Sequence, residues 1–98
     1  MAQDAVSAAP DKYKVLFEND RVRILETRYG SGQSSNMHSH PDLVAVALTP
    51  ASGRFTLPNG QTVDIEFQEG EAMFLEGQDH AVENTGTAEL RVILVEPK

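Results

Sequence analysis

From Tyr13 onward the chain breaks into short runs rich in β-branched and aromatic residues, and within several of them apolar and polar positions alternate. Val63, Ile65 and Phe67 are interleaved with Asp64, Glu66 and Gln68, and Leu90, Val92 and Leu94 repeat the pattern. A period of two belongs to a strand with one face in a core and one in water. Nowhere do apolar residues recur at helical spacing for three turns, so the chain is predicted to be all-β. The expected strands are Tyr13 to Glu18, Val22 to Tyr29, His38 to Leu48, Gly53 to Leu57, Thr62 to Phe67, Glu71 to Leu75, His80 to Asn84 and Leu90 to Glu96. Between them Asn19-Asp20, Pro58-Asn59-Gly60, Glu69-Gly70 and Asn84-Thr85-Gly86 supply residues that accept positive φ or preset a bend, and Gly60 is the best single hairpin marker. Strands of this number and length suit a jelly roll.

Two segments depart from simple alternation. Leu43 to Leu48 is apolar on both faces, which predicts a strand covered on its outer side as well. An outward patch of Leu43, Ala45 and Ala47 would suit a homodimer, or the N-terminal segment of the same chain would cover it. Residues 1–12 are rich in Ala, Ser, Gln and Asp and have no apolar periodicity, so they read as a loosely tethered tail before a single domain over residues 13–98.

Length and charge narrow the function classes. A chain of 98 residues supports one core. Fifteen acidic against eight basic side chains leave a net charge of -7, and such a surface repels phosphate backbones and anionic lipid, so neither nucleic acid nor membrane is an expected partner. Met1 to Pro10 lacks the basic start and apolar stretch of a signal peptide, so the cytoplasm is the expected location. There is no cysteine, hence no thiol nucleophile and no sulfur ligand; any site must be built from nitrogen and oxygen.

The chemistry then falls to the histidines. His38 and His40 are separated by one residue in an expected strand, and His80 opens another. Residues i and i+2 of a strand share a face, so two imidazoles side by side on an inner wall, with a third arriving from a facing strand, give three nitrogen ligands for one divalent transition metal. Iron, nickel, manganese, zinc, cobalt and copper are all compatible with a nitrogen-only donor set.

These residues carry a resemblance. Gly32, five residues, then His38-Ser39-His40 is similar to the first motif of the cupin superfamily, and Gly70 followed by Gly77, His80 and Asn84 resembles the second. With Val22 to Val95 following that superfamily's rhythm of strands and turns, the resemblance covers nearly the whole folded part and implies a double-stranded β-helix, the small single-domain jelly roll of RmlC-like cupins. It departs from the pattern in two places. Where a glutamate usually supplies a fourth ligand after the His-x-His element, this chain has Val44 and Ala45, so a four-residue His₃Glu site is not supported. The second motif lacks its usual proline, with Glu76 beside Gly77.

Other residues near the histidines are candidates for the pocket around the ion: Gln33, Met37, Asp42, Phe74 and Gln78, with Asp42, Gln33 and Gln78 able to offer an oxygen to the metal or its water. Met73, Phe55 and Phe67 read better as core, and Asn84 as a turn cap. Glu26 and Arg28 would mark a polar site if inward and a solvated face if outward. Three neutral imidazoles leave a divalent ion with its full charge and open positions, which calls for a small anionic ligand or substrate. The resemblance then implies a metal-dependent enzyme of dioxygenase or isomerase type, or else a non-catalytic binding module.

Overall fold

The computed structural model describes residues 2–98. A four-residue helix, α1 (Ala5–Ala8), precedes nine strands: β1 (Tyr13–Glu18), β2 (Val22–Tyr29), β3 (His38–His40), β4 (Leu43–Ala47), β5 (Ala51–Thr56), β6 (Thr62–Phe67), β7 (Ala72–Leu75), β8 (Gln78–Asn84) and β9 (Leu90–Pro97). They form a five-stranded sheet in the order β1-β2-β9-β4-β7 and a four-stranded sheet in the order β3-β8-β5-β6. Every named pairing is antiparallel. This is the expected all-β double-stranded β-helix.

The alternation places the core between the sheets. Leu25, Thr27 and Tyr29 on β2, and Leu90, Val92 and Leu94 on β9, are buried and face Phe55, Phe67 and Val82 of the smaller sheet. Each leucine-sized side chain taken fully out of water contributes roughly 1.5–3 kcal/mol before entropy is counted. Gly60 closes the β5–β6 hairpin with φ +88°, and its N–H donates to the Leu57 carbonyl at 2.9 Å. The Asn84 side chain, fully buried, donates to the Tyr29 and Ala88 carbonyls and accepts from the Gly86 N–H.

Three expectations are corrected. The single strand His38 to Leu48 is two strands in different sheets, because Pro41-Asp42 interrupts it and lets the chain cross from β3 to β4. The faces of β4 are also reversed: Leu43, Ala45 and Ala47 point into the core and are 1–3% exposed, while Val44 and Val46 face outward. A run apolar on both faces has no internal phase, so sequence alone could not orient it.

The third concerns the N-terminus. Residues 2–12 are packed rather than loosely tethered: Ala5 and Ala9 join the core, the Gln3 carbonyl accepts from the Ser39 N–H at 2.7 Å, and Asp4 caps α1 at the Val6 N–H. Asp4 also grips Arg23 through two bonds of 2.6 and 3.1 Å. Small side chains here are a means of close approach to β3, not a sign of disorder. Met1, the first residue of the expected tail, lies outside the described residues. Among the described residues no helix is long and apolar enough to cross a membrane.

Candidate metal centre

The histidines converge. His38 and His80 are directly opposite each other across the β3–β8 pair, so the third imidazole comes from the neighbouring strand of the same sheet and not from a facing one. His40 lies two residues along β3 on the same buried face. The ring centroids form a nearly equilateral triangle of 4.8, 4.9 and 5.0 Å. One ligand nitrogen from each lies within 4.8 Å of the other two, and the residues are 0, 6 and 4% exposed in chain order.

An oxygen acceptor faces the Nδ1 atom of each ring. His38 Nδ1 donates to the Asn36 carbonyl at 2.8 Å. His80 Nδ1 lies 3.4 Å from Gln78 Oε1. His40 Nδ1 lies 3.5 Å from Glu96 Oε2, a long contact, but neither atom has another protein partner and both are fully buried. Each acceptor favours hydrogen on Nδ1 and leaves Nε2 unprotonated, the tautomer that an Nε2 ligand needs. Burial, reinforced by the neighbouring imidazoles, pushes His38 down to about 4 and His80 down to about 3. Both rings are therefore neutral near pH 7 and able to bind an ion without first losing a proton.

The opposite sheet closes the site. Tyr13 on β1 places its hydroxyl 3.1 Å from His38 Nε2 and 2.8 Å from the Tyr29 hydroxyl on β2. Burial lifts the Tyr13 phenol well above the ordinary value and Tyr29 to about 12. Since His38 Nδ1 carries its proton toward a carbonyl, Nε2 must accept, and the chain of donation runs from Tyr29 to Tyr13 to His38 to Asn36. Glu96, 2% exposed at the end of β9, also accepts from Arg23 Nε at 2.7 Å. Burial alone would raise its carboxyl; His40 and Arg23 outweigh that and hold it below the usual range. The Phe55 ring lies 4.2 Å from that of His80. A cavity of about 50 Å³ opens beside the triad, lined by Tyr13, His40, His80 and mainly apolar core residues, Phe55 and Phe67 among them.

The other expected pocket residues separate from the triad. Phe74 points outward and is 59% exposed, because β7 is an edge strand whose inward phase belongs to Met73 and Leu75. Asp42 is exposed and accepts from the Gly77 N–H at 2.7 Å, and Gln33 accepts from the Gly30 N–H; both serve turns. That turn contact also explains Gly77, where a Cβ would come within 3.2 Å of the His40 carbonyl. Met37 is half-buried beside His38 and does not line the cavity. Gln78 acts on the back of His80, away from its Nε2. Glu26 and Arg28 are outward, paired with Arg91 and Glu89.

Tyr13, Tyr29 and Glu96 were missed by the sequence reading, although one signal was present. Glu96 continues the inward phase of Leu90, Val92 and Leu94, and a carboxylate in register with three core residues must have buried partners.

Comparison with known proteins places this geometry. No family model and no curated protein sequence matches the chain. Among solved structures, a cupin domain from Bordetella pertussis Tohama I is 28% identical, with 88% of this chain and 91% of that one aligned at a TM-score of 0.80. The chain belongs to the cupin superfamily. An RmlC-like cupin from Methanocaldococcus jannaschii shares the fold at 14% identity, TM-score 0.67, over 87% of this chain and 77% of its own. The polyketide cyclase RemF from Streptomyces resistomycificus does so at 24% identity and TM-score 0.63, over 87% of this chain and 63% of that one.

The buried neutral histidines make stability depend on acid. A group whose folded pKa is depressed stabilises fully above its unfolded value, here 6.5, and loses that contribution as pH falls toward the folded value. Denaturant titrations in the presence of chelator should therefore show stability already falling between about pH 6.5 and pH 5, above the range in which most carboxylates protonate. A flat profile between pH 7 and 5 would contradict neutral, buried His38 and His80.

Proposed function

We propose that this small cupin holds one divalent transition metal through Nε2 of His38, His40 and His80 and acts on a small anionic metabolite bound at that ion. The observation that carries the reading is a triangle of three buried rings, each offering one nitrogen within 4.8 Å of the other two and each with an oxygen acceptor facing its Nδ1. A cluster of unrelated core histidines would not need all three rings turned the same way. The donor set fits a borderline ion such as iron, nickel, manganese, cobalt, copper or zinc, with positions left for an exogenous ligand. Such an ion supplies Lewis-acid polarisation of a bound anion, or oxygen chemistry if it is iron, which accommodates isomerase and dioxygenase types alike.

The protein's own residues do the rest. Gln78, Asn36 and Glu96 orient the rings, the apolar wall from Phe55 to Leu94 excludes water, and Tyr13 keeps a proton beside His38 Nε2. One observation favours a second reading, a non-catalytic metal-binding module: the cavity, at about 50 Å³, holds a diatomic molecule or one or two waters but no organic metabolite without displacement of its lining.

Homodimerisation, as we propose it, uses the outer face of the five-stranded sheet. Phe17, Ile24, Val95, Val44 and Phe74 are successive cross-strand partners there, an apolar row about 19 Å long at ordinary strand spacing. A row of this kind can pack on a copy of itself about a two-fold axis.

Elemental analysis of untagged protein should find close to one equivalent of transition metal, and none in a variant with all three histidines changed to alanine. Absence from both after incubation with these ions removes the metal reading. Turnover of candidate organic anions then separates enzyme from module, since a module binds without forming product. Replacing Glu96 by Gln should weaken metal affinity by about 10–100-fold, the usual cost of losing a partner behind a ligating histidine, with the metal-free fold intact by circular dichroism; unchanged affinity would remove its orienting role. In sedimentation, the wild type should run as two chains and Phe74→Glu as one. A one-chain wild type would rule out this dimer.

A further inference from the structure

We propose that Tyr13 is a fourth protein ligand, its phenol oxygen joining the three histidine nitrogens on the same ion. The inference rests on the metal-binding reading above and deepens it, because nothing in the three-histidine set requires a donor from the opposite sheet.

The geometry is that of neighbouring ligands. With metal–nitrogen bonds of about 2.0–2.1 Å, two adjacent ligand atoms are about 2.9 Å apart in an octahedron and about 3.4 Å apart in a tetrahedron. Tyr13 Oη lies 3.1 Å from His38 Nε2, between those two edges. The contact is made to the nitrogen that must face the ion, since the other is engaged with the Asn36 carbonyl. The Tyr13 ring also lies beside His40, 5.5 Å between centroids, and lines the same small cavity as His40 and His80.

The chemistry of the set asks for such a donor. Three imidazoles carry no charge, so they leave a divalent ion uncompensated in a buried, mainly apolar cavity. Ala45, where a carboxylate might have projected inward, is a methyl group on the inner wall. Glu96 is committed to Arg23 and to the back of His40. Tyr13 is the oxygen in contact with a ligating nitrogen. On coordination its O–H bond is exchanged for an O–metal bond, the proton leaves to solvent, and His38 Nε2 exchanges the Tyr13 hydrogen bond for the ion. Tyr29, 2.8 Å away, then donates to the phenolate oxygen and stabilises its charge.

Phenolate coordination has a spectroscopic signature that histidine lacks. The full chain, loaded anaerobically with ferrous ion and oxidised with one equivalent of ferricyanide, should show a visible phenolate-to-iron charge-transfer band with resonance-enhanced ring vibrations. Tyr13→Phe should lose the band while still binding iron, with affinity reduced tenfold or more, and Tyr29→Phe should keep a shifted band. Iron bound by the wild type without such a band, or a band that survives in Tyr13→Phe, overturns the assignment and leaves the three-histidine reading standing. No iron, zinc or nickel bound by the wild type overturns both. Equal or tighter binding by Tyr13→Phe also overturns it, and makes Tyr13 a competitor for the His38 lone pair.

Discussion

Three imidazoles buried between two sheets are the constraint around which the rest of this molecule is arranged. An imidazole removed from water must satisfy both nitrogens or lose free energy for each one left unpaired. Here the Nδ1 atoms are met by a backbone carbonyl, a side-chain amide and a carboxylate. The last of these is itself buried and must be answered in turn, which Arg23 does, and Arg23 is held from its far side by Asp4. The packed N-terminus is thus one end of a polar chain, Asp4 to Arg23 to Glu96 to His40, whose other end is a candidate ligand. Composition gave no reason to expect order in that segment; the remaining guanidinium N–H groups of Arg23, which Glu96 does not reach, supply one by donating to Asp4.

The two sheets divide the work. The four-stranded sheet presents the histidines, because i and i+2 on β3 share a face and β8 is in register beside it. The five-stranded sheet presents what acts on them: Tyr13, Tyr29 and Glu96 on β1, β2 and β9. A site split in this way depends on the distance between sheets, which the interleaved Leu25, Leu94, Phe55 and Val82 hold at core packing density. Replacing one of these by a smaller residue would be felt at the Tyr13–His38 contact as well as in stability.

Much of this was legible in the sequence, and the parts that were not have a common cause. Periods of two placed most strands within a residue or two, and the spacing of His38, His40 and His80 marked the triad. Legibility failed where a segment had no internal phase, as in Leu43 to Leu48, or where a partner came from a distant strand. The Tyr13–His38 contact joins residues 25 apart, and His40–Glu96 joins residues 56 apart by number; neither spacing has meaning within one strand. The nearby polar residues Gln33 and Asp42 were more tempting because they are close in sequence, yet they are spent on turns. Proximity along a β chain is a poor guide to a site that lies between two sheets, whereas a polar residue in the inward phase of an apolar strand is a good one.

That rule extends to the polar residue least well satisfied. Thr27 sits between Leu25 and Tyr29 in the inward phase of β2, is buried, and its hydroxyl has no hydrogen-bond partner within the protein. Valine has nearly the same shape and would avoid the cost of an unpaired hydroxyl, of order 1–3 kcal/mol. Thr27 lines the small cavity together with Tyr13, Tyr29, His40 and His80. The wall opposite the histidines therefore carries a row of hydroxyls from Tyr13, Thr27 and Tyr29, which with the imidazoles are the few polar groups lining an otherwise apolar cavity.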